Sequence, residues 1–170
     1  MRPTPEDPDA WNAYLAEGNR AQARKRVAAD VLLRDSNGRI LLVNPTYKPD
    51  WDLPGGMAEA NEPPHVAATR ELKEELGLAI VPRTLLVVDW VAPHGPWDDQ
   101  IAFIFDAGTI GSAQAADLQP RDEELSELAF VAPGEAGTRL RNRLARRFRA
   151  ALEALDGRSG PLYLHDGHPV

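Results

Sequence analysis

Residues 56–78 read GMAEANEPPHVAATRELKEELGL, and the rest of the chain is arranged around this stretch. Ala68, Leu72 and Leu76 recur every four residues, which gives an α-helix one buried stripe. Pro63 and Pro64 preset the backbone at the first turn, where no N–H is needed, and Asn61 or Glu62 stands where a side chain can accept from the free donors. Gly77 follows the last periodic residue, where a left-handed cap is expected. The spacing therefore predicts a helix from about Pro63 to Leu76.

Within that helix Glu71, Glu74 and Glu75 stand at i, i+3 and i+4 and crowd onto one face. Like charges at this spacing cost roughly 0.2 to 0.5 kcal/mol per pair, and crowding pushes at least one carboxyl pKa up. A divalent cation removes the repulsion. A cluster of hard oxygen ligands suits magnesium or manganese, and magnesium keeps several waters while bridging to phosphates. Taken alone, an acidic helix interleaved with Arg70 and Lys73 reads first as a solvated face.

The wider spacing changes that reading. Gly56 is followed after five residues by Glu62, and after seven more by Arg70, Glu71, Leu72, Glu74, Glu75, Gly77 and Leu78. This resembles the Nudix box, G-x5-E-x7-R-E-U-x-E-E-x-G-U with U an aliphatic residue, and every defined position is filled without substitution. The LPGG lead-in from Leu53 and the neighbouring strands extend the resemblance over roughly residues 26–133.

The resemblance implies an α/β fold, the Nudix α/β/α sandwich, with a mixed β-sheet and the box helix against one face. It implies metal-dependent hydrolysis of a nucleoside diphosphate linked to another moiety X. Glu71, Glu74 and Glu75 would bind Mg2+, with Mn2+ as a substitute, and Glu71 or Glu75 would be the most essential ligand. Gly56 would lie beside the metal through its backbone, with Gly55 and Gly77 supporting the motif. Arg70 would hold the carboxylates in place, and Glu62 would support the loop or an outer metal. One of the box glutamates, or Glu124 from a loop beyond the box, would take the proton. Homodimers are common in the family. Two other functions share the resemblance: a nucleotide-sensing module that does not hydrolyse its ligand, and a pyrophosphatase that sanitises damaged nucleoside triphosphates. A sensing module is expected to carry a damaged box, whereas here every carboxylate is present.

Composition bounds the remainder. The 170 residues suffice for one domain with a proper core, read as 25–158, preceded by a tail and peripheral helix over 1–24 and followed by a C-terminal tail over 159–170. A net charge of −7 argues against nucleic acid held on a general basic surface, although a nucleotide-sized ligand needs only a local patch. Cysteine is absent, which excludes disulfides, thiol catalysis and cysteine metal sites and agrees with a reducing cytoplasm. No apolar run approaches roughly 18 residues, so neither a membrane span nor a signal peptide is expected.

Around the box, Val27–Leu33 and Ile40–Val43 flank Asn37-Gly38 and read as a hairpin. The second run lacks alternation, which predicts burial on both faces. Trp51 reads as a packing residue before a base-stacking platform, and Lys48 as a surface lysine or a phosphate contact. Two further strands, over 85–91 and 101–105, enclose a loop containing Pro93 and His94. Pro93 stands fifteen residues after Leu78, which resembles the marker of ADP-ribose pyrophosphatases and slightly favours an ADP-ribose-like substrate. His94 reads as a solvated loop residue or a ligand contact. Residues 108–120 read as a mobile loop. A single long helix is expected from about Pro133 to Leu155, with Leu140, Leu144, Phe148, Ala151 and Leu155 inward and Arg139, Arg141, Arg143, Arg146, Arg147 and Arg149 on its other faces. The last residues, from Gly160, carry no recognisable signal.

Overall fold

The structure is a computed structural model and describes residues 2–157 and 160–170. Helix α1 (Pro8–Ala21) leads into strands β1 (Arg26–Asp35), β2 (Ile40–Pro45) and β3 (Gly55–Met57), then α2 (Pro64–Leu76). Strands β4 (Thr84–Val91) and β5 (Gln100–Ile110), α3 (Ser112–Asp117) and β6 (Leu125–Val131) follow. Helices α4 (Pro133–Arg139) and α5 (Asn142–Leu155) and strands β7 (Leu162–His165) and β8 (His168–Pro169) complete the described chain.

The β1–β2 hairpin forms as its turn residues predict. Asp35 accepts from the backbone N–H groups of Asn37 and Arg39, both at 2.9 Å, and from Arg39 Nε at 2.7 Å. Gly38 supplies the positive φ of 75°. Beyond the turn the two strands splay apart. Asp52 bridges to Val43 on one side, while Gly55, Gly56 and Met57 pair with Asp30, Ala29 and Ala28 on the other. The glycine loop is thus wedged into the sheet, and its backbone position is fixed on two edges.

The sheet is mixed, with order β6-β2-β1-β5-β4-β7-β8 and β3 beside β1. The β1–β5 and β4–β7 pairs are parallel, and the other pairs are antiparallel. Residues 40–43 are buried on both faces, as their unbroken apolar run requires. Ile40 and Leu42 join Leu32, Ile104, Phe148 and Ala151 under α5, whereas Leu41 and Val43 join Val31, Leu33, Ala68, Leu72 and Leu76 under α2. Two helices therefore cover opposite faces of one sheet, which is the α/β/α layering.

Four expectations need correction. The cap of α2 is neither Asn61 nor Glu62: Pro63 occupies that position without a side-chain hydrogen bond, because Glu62 is drawn to the Glu59 N–H and to Arg70. Residues 108–120 are more ordered than a loop, since β5 continues along β1 to Ile110 after a bulge and α3 follows. The expected long helix breaks in two at Leu140, where the backbone is extended and bridges to Trp51. The C-terminal residues add a strand to the sheet, with Leu162–His165 parallel to β4. The expected boundary between domain and tail at 158/159 lies outside the described residues, as does Met1 of the N-terminal tail.

Helix α1 has no buried residue and lies at the periphery. Among the described residues no helix is long and apolar enough to cross a membrane.

Candidate active site

Helix α2 is held at both ends. Gly77 closes it in the left-handed conformation at φ 69°, and the following Leu78 N–H reaches back to Leu72 O at 3.1 Å. With Ala68, Leu72 and Leu76 seated on the sheet, the glutamates of the box emerge along the edge that meets the glycine loop.

Arg70 sits at the centre of that edge. Its Nε and one terminal nitrogen bind the two oxygens of Glu62, each at 3.0 Å. The other terminal nitrogen donates to Glu71 Oε1 at 2.9 Å and Glu74 Oε2 at 3.0 Å, while the nitrogen bound to Glu62 Oε2 also donates to Met57 O at 3.0 Å. One guanidinium thus gathers three carboxylates and the end of β3, which is the fork geometry arginine offers and lysine lacks. Those bonds, and the Glu59 N–H, hold the Glu62 carboxyl below its usual range.

Glu75 faces the other way, into the protein. Its Oε2 accepts from the Gly55 N–H at 3.1 Å. Burial, and secondarily the charges of Glu71, Asp30 and Asp122, push its pKa up to about 8 against the pull of that hydrogen bond. Glu71 is also raised, again chiefly by burial, with Arg70 opposing and Glu74 and Glu124 adding to it. Crowding of like charges was expected to lift a carboxyl here; desolvation proves the larger cause.

Gly55 and Gly56 have different reasons to lack a side chain. A Cβ at Gly55 would fall 2.3 Å from Ala29 O, and its φ of 139° disfavours any L side chain. A Cβ at Gly56 would fall 2.5 Å from Glu71 Oε1. The Gly56 backbone and the Glu71 carboxylate are therefore in direct contact.

Below the loop lies a cavity of about 310 Å³ whose lining includes Asp30, Lys48, Asp52, Gly55, Gly56 and Arg147. Lys48 reaches it as an ion pair with Asp52. Sequence reading missed three charged groups beside it. Asp30 is pushed up to about 7 by burial, offset in part by Arg147. Arg147, expected on an exposed basic face, is instead buried, with Nε donating to Asp89 Oδ2 at 2.9 Å and Nη1 3.7 Å from Asp30. Asp89, fully buried, also accepts from the Gly167 N–H at 3.0 Å. The signals were present: Asp30 interrupts the apolar run 27–33, and Arg147 lies three residues after Leu144 on the inner stripe of α5.

The other expected residues are dispersed. Glu124 is exposed, with its backbone carbonyl accepting from Thr46 N at 2.7 Å; its charge acts on Glu71. Trp51 packs against the core under α5, with the Arg139 guanidinium 5.1 Å from its ring, so it serves packing. Pro93 is exposed on the β4–β5 loop and does not line the cavity. His94 is exposed as well, its Nδ1 2.9 Å from Ala92 O, and borders an adjoining groove with Asp50 and four arginines.

The donor chemistry fits a divalent cation in part. Glu71 and Glu75 are hard oxygen ligands one turn apart, both disfavoured as bare charges, with the Gly56 backbone against one of them. Among the described residues, however, no three acidic or histidine side chains converge as a preformed cage. Glu74 is turned outward, its side chain 53% exposed and paired with Arg70.

The sequence matches the NUDIX domain over residues 24–154, and the chain belongs to that family. It is 28% identical over 139 residues to a MutT-like protein of Streptomyces ambofaciens, an alignment spanning 82% of each chain. It is 32% identical over 105 residues to an ADP-ribose pyrophosphatase of Methanocaldococcus jannaschii, covering 60% of this chain and 62% of that protein. Among solved structures, the MutT protein of Methanosarcina mazei superposes with a TM-score of 0.67 at 21% identity, over 81% of this chain and all of that one. The fold and the mixed sheet are thus those of Nudix proteins. Nudix hydrolases generally use divalent metal ions.

Proposed function

We propose that this chain is a pyrophosphohydrolase that cleaves the diphosphate of a nucleoside diphosphate linked to X, with magnesium as its working cation. The observation that carries the reading is the buried Glu75 carboxylate, bonded to Gly55 N and raised to about 8 by burial and then by the charge of Glu71, beside a cavity lined by Gly55, Lys48 and Arg147. Such a pair of carboxylates is poorly stable without a cation, and perturbed carboxyls beside a cleft mark a site of chemistry. The name of the Methanocaldococcus relative favours an ADP-ribose-like substrate within that class.

In this reading Glu71 and Glu75 would hold the cation, with the Gly56 backbone against Glu71. Glu74 would join them only on leaving Arg70. A bound divalent cation would lower the pKa of the attacking water and offset charge on the phosphoryl oxygens. Arg70 keeps Glu62 and Glu71 in register with the loop. Lys48 and Arg147 place positive charge on the cavity wall, where phosphate oxygens would lie. Glu124, on the exposed loop whose charge reaches Glu71, accepts the proton of the water.

The test is product release from ADP-ribose, nucleotide sugars, NADH, dinucleoside polyphosphates and nucleoside triphosphates, each with magnesium and with chelator. Magnesium-dependent cleavage of a diphosphate-linked member is the expected result. Ligand-induced thermal stabilisation without cleavage of any member would overturn it in favour of a sensing module.

A further inference from the structure

A second, larger groove of about 750 Å³ opens beside the catalytic cavity, and its charge runs against that of the whole chain. Its lining includes Arg139, Arg141, Arg143 and Arg146 against a single acid, Asp50, in a protein of net charge −7. Arg141 and Arg143 line both cavities, so the groove adjoins the proposed site. The arginines are anchored but not consumed. Arg141 meets Asp50 through Nε at 2.6 Å and keeps a side chain 69% exposed, and Arg143 meets Asp166 through Nε at 3.2 Å. Arg146 is positioned by the Asp166 carbonyl at 2.8 Å. The cluster spans the break between α4 and α5, and the first turn of α5 carries no acidic residue.

We propose that this groove binds a further phosphate of the substrate, beyond the diphosphate that is cleaved. The inference rests on the pyrophosphohydrolase reading and narrows it to nucleoside diphosphate derivatives that bear an additional phosphate group. Arg146 is held through two nitrogens and Arg139 is paired with Glu135, whereas Arg141 and Arg143, anchored through Nε, have the fork geometry that matches phosphate oxygens in pairs. Sharing Arg141 and Arg143 puts both cavities within reach of one molecule, so the second phosphate binds as a tethered group at high effective concentration.

The experiment is calorimetric titration of the full chain, in chelator so that nothing is cleaved, with ligand pairs that differ by one phosphate: NADPH and NADH, and coenzyme A and dephospho-coenzyme A. Inorganic phosphate is the control. The expected result is at least tenfold tighter binding of the phosphorylated member in one pair or both, falling to near equality in R141Q/R143Q. That ratio is insensitive to a general loss of stability or activity, and the variant's thermal melt is recorded alongside. Equal affinities within both pairs, a preference that survives the substitutions, or no binding of the phosphorylated members would overturn the proposal. Inorganic phosphate binding as tightly as NADPH would also overturn it, reducing the groove to an isolated anion site. The magnesium-dependent cleavage assay is separate, so failure of the groove and failure of the hydrolase reading are told apart.

Discussion

The backbone N–H of Gly55 donates to Glu75 Oε2 across 3.1 Å, and this bond joins the wedge of loop inside the sheet to the buried side of α2. The neighbouring Gly56 meets α2 through Glu71. The two glycines are therefore predicted to fail differently. Gly55→Ala drives a Cβ into the Ala29 carbonyl and the Asp30 backbone at a φ that disfavours it, so the fold suffers, with a loss of about 2 to 4 kcal/mol. The atoms nearest to a Cβ in Gly56→Ala are the end of the Glu71 side chain, which can shift at the cost of its bond to Arg70. It should keep a near-normal melting temperature and lose activity tenfold or more. Thermal melts and turnover of the two variants, measured together, check the contrast.

Arg147 and Asp89 form a buried ion pair between α5 and β4. Removing one partner strands the other, so Asp89→Ala is expected to cost about 3 to 5 kcal/mol in urea unfolding. Arg149→Ala, on the exposed face of the same helix, should stay within about 0.5 kcal/mol. Equal effects would contradict the placement of Arg147.

Asp35 gives a pH dependence whose sign is fixed. Burial pushes its carboxyl up, but the Arg39 backbone N–H, the Arg39 side chain and the Asn37 N–H outweigh it and hold the pKa below the ordinary 3.8. A depressed carboxyl contributes stability that is complete above the unfolded value and is lost as pH falls through the lower folded value. Asp35→Asn should therefore cost about 1 to 3 kcal/mol at neutral pH, and its gap to the unaltered protein should narrow below pH 3.8. Melting temperatures across an acid series read this directly.

The box was legible because its residues are neighbours in sequence. A four-residue apolar period, two prolines and a glycine suffice to define α2, and the glutamate spacing places Glu71 and Glu75 on it. The run 40–43 declared its two-sided burial for the same reason. What could not be read depends on partners far along the chain. Arg147 looked like one arginine among six because Asp89, which holds it, lies 58 residues away. Trp51 ends the long helix by bridging to Leu140, and no local signal at either position announces that pairing. The strand at 162–165 is too short to register without the β4 edge that it completes. The orientation of Glu74 depends on Arg70, which has several carboxylates within reach.

Whether Glu75 belongs to the hydrolytic machinery is read from magnesium-dependent turnover of the best-cleaved substrate by Glu75→Gln beside the unaltered protein. The substitution keeps the shape and an oxygen able to accept from Gly55 while removing the charge. The expected result is an unchanged thermal melt to within a few degrees and turnover lower by a factor of about 100 or more. Turnover within about threefold of the unaltered protein, from a variant that melts normally, would contradict it.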